Sequence, residues 1–240
     1  MIGTLLNVAG IVLGGVTGLV RKTPLSLSRQ FFFKTALGAF TVYYGLHLTW
    51  ISVNGPFLQI LKQLAVVVVS LALGKLIGHL LRLQKMSNRL GQFARERMAA
   101  AKPGAPDGFS DGFNVCAVLF CAAPLGILGA IQDGLSGYFY PLAVKAVMDG
   151  LAVMSFVAMF GWGVMLSAVP VLVFQGTITL LCARFAQPFL QAHGLLDGVN
   201  ATGGMLMFCV ALLIFELRRI EVTDYLPSLA LAPLLTYWFR

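Results

Sequence analysis

Long apolar runs, separated by short basic or polar stretches, make up nearly the whole chain. An apolar run of roughly 17–25 residues is long enough to cross a bilayer as a helix. The pattern predicts an all-α protein with eight membrane spans, at residues 3–20, 36–53, 57–81, 113–131, 138–157, 161–182, 199–216 and 225–239. The fifth and sixth runs are nearly continuous across "FGWG" (160–163), and the last run is short. A seven-span or re-entrant arrangement is the alternative at those two places.

Basic residues lie mainly in alternate connections between these runs. Four follow the first span, six follow the third and two follow the seventh, whereas the other side carries only Arg184 and Arg240. Lys and Arg accumulate in the cytoplasmic loops of multi-pass proteins. The distribution predicts three cytoplasmic loops and both termini outside. Arg21 and Lys22 follow the first run instead of preceding it, so we expect the first span to be retained and not cleaved as a signal peptide.

Composition excludes a soluble protein, because 58% of the residues are hydrophobic and 11% are charged, against about 25% charged in soluble domains. The net charge of +8 lies largely in loops, where it meets anionic lipid headgroups and does not form a nucleic-acid-binding surface.

We expect one transmembrane domain over residues 1–240. Within it, residues 82–112 form a basic cytoplasmic loop, in which "RLQKMSNRLGQFARERM" predicts an amphipathic helix and "KPGAPDG" (102–108) a linker.

The first and last thirds of the chain resemble each other. "GTLLNVAG" (3–10) is similar to "GTITLLCA" (176–183), and "TALGAFTVYYGL" (35–46) is similar to "NATGGMLMFCVAL" (200–212). This similarity predicts that spans one to three repeat as spans six to eight. Because the offset is five spans, an odd number, the two copies would run in opposite directions through the bilayer. Inverted repeats of this kind are a recurring design of secondary transporters.

Small residues form stripes along two of the predicted spans. In the first span they are Gly10, Gly14 and Gly18, and in the third they are Gly74 and Gly78. Such stripes allow helices to approach closely, and we expect them to serve helix packing, either within one chain or in a homo-oligomer. Asn7 lies in the first stripe, and its amide needs a polar partner.

Two charges lie inside the fifth span, in "LAVKAVMDGLAVM" (142–154). Lys145 and Asp149 are four residues apart and share one helix face. Ionisable residues inside a membrane are unfavourable and are common at functional sites. In the sixth span Pro170 predicts a kink, followed by Gln175. Two interpretations stand: Lys145, Asp149, Gln175 and Asn7 line a path for a solute or ion, or they only hold neighbouring helices together.

Signatures of enzymes and metal sites are weak. "GLSG" (134–137) matches the pattern of intramembrane serine proteases, but no later span supplies a histidine base for Ser136. The chain has no HExxH motif and no CxxC pair among its four cysteines. We expect no enzymatic activity, no cofactor and no metal site, and structural roles for His47 and His79.

Five segments together resemble a bacterial family of integral membrane proteins, the YqgA/YdfK-like family, a domain of unknown function. The segments are "GTLLNVAGIVLGGVTG" (3–18), "ILGAIQDGLSG" (127–137), "KAVMDGLAVMSF" (145–156), "FQGTITLL" (174–181), and "GG" with "YLP" (203–204 and 225–227). The resemblance implies a multi-pass protein of the bacterial inner membrane and carries no assigned activity.

The sequence thus predicts a membrane transporter or channel for an unidentified small solute or ion. The alternative is a membrane scaffold or assembly protein that transports nothing. The expected partners are the lipid bilayer and the solute, with a homo-oligomer compatible with the glycine stripes, and no nucleic acid.

Overall fold

The computed structural model describes residues 1–21, 26–100, 108–218 and 220–239, and within these ranges all regular structure is helical. The all-α prediction is therefore confirmed. The helices are α1 (Ile2–Val20), α2 (Leu27–Ile51), α3 (Phe57–Leu80), α4 (Leu83–Ala100), α5 (Gly108–Ala122), α6 (Pro124–Ser136), α7 (Tyr140–Phe160), α8 (Ala168–Leu181), α9 (Gln187–Ala192), α10 (Leu196–Ile214), α11 (Val222–Tyr225) and α12 (Ser228–Trp238). A 3₁₀ turn (Trp162–Ser167) precedes α8, and a π turn (Cys182–Ala186) joins it to α9.

Five helical stretches in the described ranges are long and apolar enough to cross a membrane: α1, α3, α7, α10 and the stretch Trp162–Ala192. The bent pair α5–α6 makes a sixth if it is counted as one span. The predicted count of eight is not confirmed. Helix α2 is long enough but is not among the five; Arg29 and Lys34 lie in its first part and His47 lies within the predicted run 36–53. Helix α12 has 11 residues, which extend roughly 16 Å, about half the thickness of a bilayer core.

The fourth predicted span consists of two helices that meet at an angle of 57°. Proline has no N–H to continue a helix and forces the preceding residue into an extended conformation. Ala123 is extended, and Pro124 begins α6. The kink at Pro170 stays a prediction: Pro170 lies in the first turn of α8, directly after the 3₁₀ turn Trp162–Ser167.

Glycine stripes hold α1 and α7 together as a parallel pair. A Cβ on Gly10 would meet the backbone oxygen of Ala146, and a Cβ on Gly14 would meet that of Gly150. Further along, a Cβ on Gly18 would lie 2.7 Å from the carbonyl oxygen of Met154. The stripe of α3 packs in the same way, with Gly74 against Ser228 and Gly78 against Asp224. Both stripes are therefore used within the chain.

Helices α2 and α10 cross closely where Gly45 faces Gly204. The hydroxyl of Thr49 donates a hydrogen bond of 3.1 Å to the backbone oxygen of Ala201 on α10. Helix α3 packs against α12, and α1 packs against α8. Each helix of the first third thus contacts its counterpart in the last third, while the inverted repeat itself stays a prediction.

The predicted amphipathic helix is α4, which packs against α5 and α11. The backbone N–H of Gln84 donates to the carboxylate of Asp224 over 2.7 Å, so Asp224 caps the beginning of α4. Ala94 is buried, and Arg97 pairs with Asp111 at 3.0 Å. Residues 102–107 of the predicted linker lie outside the described residues, and residue 108 already belongs to α5.

Candidate functional site

The Lys145–Asp149 pair lies near the middle of α7. Asp149 is roughly 14 Å from one end of the helix and 16 Å from the other, at a rise of about 1.5 Å per residue. As whole residues, Lys145 is 2% exposed and Asp149 is 6% exposed. The ammonium of Lys145 donates a hydrogen bond of 2.5 Å to the carboxylate of Asp149. The two charges are therefore enclosed by protein and neutralise each other.

A pair of buried amides lies beside these charges. The Asn7 amide on α1 donates a hydrogen bond of 3.1 Å to the side-chain oxygen of Gln175 on α8. Both side chains are fully buried. The Asn7 amide also approaches the carboxylate of Asp149. One turn along α1, the hydroxyls of Thr4 and Thr179 lie 3.3 Å apart, so a polar seam joins α1 to α8.

Gly126, in the first turn of α6, shows that the amides and the charges form one cluster. A Cβ at Gly126 would lie 2.8 Å from Cε of Lys145 and 3.0 Å from Nε2 of Gln175. The structure therefore brings together all four residues that the sequence singled out, Lys145, Asp149, Gln175 and Asn7. They come from three helices, and a fourth helix, α6, meets them with a residue that has no side chain.

This cluster lies at the break between α5 and α6. The ammonium of Lys145 is 5.5 Å from the ring centre of Phe120, in the last turn of α5. The ring face of Phe120 attracts the cation. The interrupted helix thus places one aromatic face next to Lys145.

Hydrogen-bonding capacity remains at the cluster. The Oδ1 atom of Asn7 and the Nε2 atom of Gln175 are buried and have no hydrogen-bond partner among the described residues. One is an acceptor and the other is a donor. An unsatisfied buried polar group typically destabilises a protein by about 1–3 kcal/mol. The cluster is therefore equipped to bind a further polar group.

Sequence reasoning missed Gln132, on α6. This side chain is fully buried against Gly203 of α10, and neither its oxygen nor its nitrogen has a partner in the described part of the chain. The signal was present, since Gln132 is a single amide within the apolar run of residues 127–137. Phe120 and Gly126 gave no signal, because only the folded chain brings them to Lys145.

Three other polar residues of the sequence lie outside the cluster, and two of them have structural partners. Asp133 accepts a hydrogen bond of 3.0 Å from the backbone N–H of Gly3 and also pairs with the amino group of Met1, so it caps α1. The hydroxyl of Ser136 donates to Asn200 over 2.7 Å. Asp197 lies exposed in the first turn of α10. None of these three contacts involves the four-residue cluster.

Among the described residues, one group of potential metal ligands occurs where α3, α4 and α11 meet. Donor atoms of His79, Glu221 and Asp224 lie within 4.8 Å of one another. His79 is 3.8 Å from Asp224, too far for a hydrogen bond, and its side chain is 68% exposed. The carboxylate of Asp224 is accounted for by its capping of α4. We assign no metal to this group.

Comparisons with known proteins agree with the resemblance noted in the sequence. The profile of a family described as a protein of unknown function, DUF554, matches residues 2–237. The uncharacterized membrane protein YdfK of Bacillus subtilis strain 168 is 27% identical over 240 residues, covering 99% of this chain and 96% of that protein. The uncharacterized protein YqgA of Escherichia coli K12 is 28% identical over 241 residues, covering 99% of this chain and 97% of that protein. No solved structure matches the chain.

Proposed function

Since this chain belongs to the DUF554 family of unknown function, we propose its function from its own geometry: an integral membrane transporter or channel for a small solute or ion. The observation that carries the proposal is the buried Lys145–Asp149 pair, placed at a broken helix and next to two unsatisfied amides. We infer that the solute path passes through this cluster.

Each of the three features has a physical reason to accompany a solute site. A buried ion pair adds little stability compared with well-packed apolar residues, so its presence needs another explanation. Irregular backbone at membrane depth is tolerated only where it is buried in protein or lines a cavity. Transporters use the ends of such broken helices to bind substrates near the midplane. Unsatisfied buried amides destabilise a protein unless a further polar group binds to them. The coincidence of all three at one place supports transport.

The residues have distinct proposed roles. Lys145 attracts an anionic group of the solute, and Asp149 balances it or binds a cation or proton. Asn7 and Gln175 supply one free acceptor and one free donor. Because the pair is almost inaccessible to solvent, solute entry requires a rearrangement.

Water accessibility of the cluster provides the first test. The four native cysteines are replaced by serine or alanine, and single cysteines are introduced at positions 145, 149 and 175. We expect a membrane-impermeant thiol reagent to label at least one of them in proteoliposomes. Cysteine at Leu128, which is fully buried in an apolar cluster, is the unreactive control, and cysteine at the exposed Asn54 is the reactive one. Complete protection at all three positions would contradict a solute path.

Flux measurements provide the second test. Asp149→Asn and Lys145→Ala should abolish solute flux in proteoliposomes, while Lys85→Ala, on the exposed face of α4, should leave it unchanged. Solutes are screened as labelled inorganic ions, amino acids and sugars, since the cluster does not specify one. Normal flux in both cluster variants that retain the fold would remove the proposed path.

The scaffold hypothesis makes the opposite prediction, namely that the cluster never meets water. Its main support was the glycine stripes, which would bind other helices. These stripes pack within the chain, against α7, α11 and α12, which leaves the hypothesis with less support. The expectation of a homo-oligomer loses the same support.

The proposed setting is the bacterial inner membrane, with both termini outside and an inverted repeat that relates α1–α3 to the helices from α8 to α12. The antiparallel contact of α1 with α8, at Asn7 and Gln175, supports such a repeat. Reporter fusions at residues 1 and 240 test the orientation. A cytoplasmic signal from either terminus would contradict it.

A further inference from the structure

A cavity of about 680 Å³ opens between α3, α10 and α12, away from the Lys145–Asp149 pair. Its walls come from the α2–α3 connection, the start of α10 and the end of α12. Pockets for small molecules typically measure about 300–1,000 Å³, so this cavity is large enough for a small-molecule ligand. It lies at the same end of the bundle as the start of α1.

Among the described residues that line the cavity, two carry a charge, and they lie on different helices. Lys62 lies on α3 and Asp197 on α10. Neither side chain forms an ion pair or hydrogen bond within residues 1–21, 26–100, 108–218 and 220–239. Two opposite charges thus border one space, and no described residue pairs with either of them.

Local contacts hold the cavity walls in place. The side chain of Gln63 accepts a hydrogen bond of 3.0 Å from the backbone N–H of Asn54 and donates one of 3.1 Å to its backbone oxygen. Gly55, with φ of +110°, forms the turn that permits this reciprocal contact. On the other side, Gly198 of α10 packs directly against Thr236 of α12. The site is therefore formed before a ligand arrives, which favours binding.

From these observations we infer that the cavity binds a free zwitterion of amino-acid size, with its carboxylate at Lys62 and its ammonium at Asp197. A ligand with a single charge would pair with one residue and face a like charge on the other. Apolar side chains, among them Val67 and Phe239, also line the cavity and provide a surface for an aliphatic group. This binding goes beyond the proposed transport and does not depend on it.

Leucine and its two singly charged analogues test the inference. Isopentylammonium lacks the carboxylate, and 4-methylpentanoate lacks the ammonium. Binding to the full chain in phosphatidylglycerol nanodiscs is measured by ligand-observed NMR, which detects weak complexes. We expect leucine to bind at least about fivefold more tightly than either analogue, which corresponds to about 1 kcal/mol per ion pair. Equal binding of the three molecules, or no binding of leucine, would overturn the inference.

Two variants assign the charges. Lys62→Met should remove the advantage of leucine over isopentylammonium, and Asp197→Asn should remove its advantage over 4-methylpentanoate. Lys85→Met, on α4 at the other end of the bundle, is the matched control and should change neither ratio. An unchanged leucine preference in both cavity variants would refute the assignment. Size-exclusion profiles and thermal midpoints verify that each variant is folded.

A zwitterionic lipid headgroup shares this chemistry, and a lipid comparison separates it from a free solute. Phosphatidylethanolamine carries an ammonium and a phosphate on a short linker. Leucine should bind equally well in nanodiscs with and without this lipid. If phosphatidylethanolamine eliminates leucine binding, the headgroup is the occupant and the inference of a free solute is wrong. The two proposals fail separately: leucine binding that depends on Lys62 and Asp197 would leave this inference standing even if no solute passed through the Lys145–Asp149 cluster.

Discussion

Removing the Lys145–Asp149 pair one residue at a time should destabilise the protein far more than removing both residues together. The variants are Lys145→Met, Asp149→Val and the double variant. Each single change leaves one charge buried without its partner. The double change replaces the pair by apolar side chains in the middle of a membrane helix.

The magnitude follows from burial of the pair. The side chains of Lys145 and Asp149 are 3% and 9% exposed, so solvent does not compensate a charge that has lost its partner. Breaking a buried pair typically costs about 3–5 kcal/mol, whereas exchanging both members for apolar residues is neutral or stabilises by up to about 4 kcal/mol. We expect the double variant to be at least about 3 kcal/mol more stable than either single variant.

The Lys34–Glu216 pair is a matched control, because its charged atoms are also 2.5 Å apart. Its side chains are 35% and 77% exposed, and exposed pairs contribute about 0–1 kcal/mol. Lys34→Met and Glu216→Gln should therefore change stability by less than about 1 kcal/mol. The comparison separates the effect of burial from the effect of distance.

The assay is the free energy of unfolding of detergent-solubilised protein, measured by denaturant titration with tryptophan fluorescence. If the single variants of the buried pair lose as little stability as those of the exposed pair, the charges are not enclosed as described. A double variant that is folded and stable but has no flux would show that the pair serves transport and not the fold.

Three further outcomes are expected. Gly14→Ala should destabilise the protein by about 1–3 kcal/mol, because the new Cβ would clash with the backbone of Gly150. The control Gly91→Ala has open space around it and should be neutral or stabilise α4 by up to about 1 kcal/mol. Denaturant titration of both variants measures the two changes. Gln132→Leu should leave the protein as stable or more stable in the same titration, because it removes two unsatisfied polar atoms. A loss above about 2 kcal/mol would show that the amide of Gln132 has hydrogen-bond partners. Asp224→Ala should weaken the beginning of α4 by about 1 kcal/mol, seen as faster hydrogen exchange at Gln84, and unchanged exchange would exclude the cap.

The candidate cluster could be predicted because its residues are conspicuous within their surroundings. A charge or an amide in an apolar helix is visible without any structure, and this identified Lys145, Asp149, Asn7 and Gln175. That they meet could not be derived, since contact between α1, α7 and α8 depends on tertiary packing. Phe120 could not be identified in this way, since an aromatic residue is common in an apolar run.

The break between α5 and α6 could not be predicted from the sequence, for a different reason. Pro124 and Pro170 are both prolines within apolar runs, and nothing adjacent distinguishes their effects. The difference is where each helix begins. Helix α8 begins directly after the 3₁₀ turn Trp162–Ser167, so Pro170 lies in the first turn of α8, where proline is tolerated. Before Pro124, α5 runs without interruption to Ala122, so the proline ends it. Helix starts of this kind are set by packing against neighbours.

The close contact of α1 with α7 has a consequence for any movement of this protein. The backbones of the two helices are in close contact at Gly10, Gly14 and Gly18. The helices therefore form a rigid pair that carries Asn7, Lys145 and Asp149 together. Gln175 and Phe120 belong to the other side, on α8 and α5. We therefore expect any opening of the cluster to separate this helix pair from its neighbours, and a separation of α1 from α8 would break the hydrogen bond between Asn7 and Gln175.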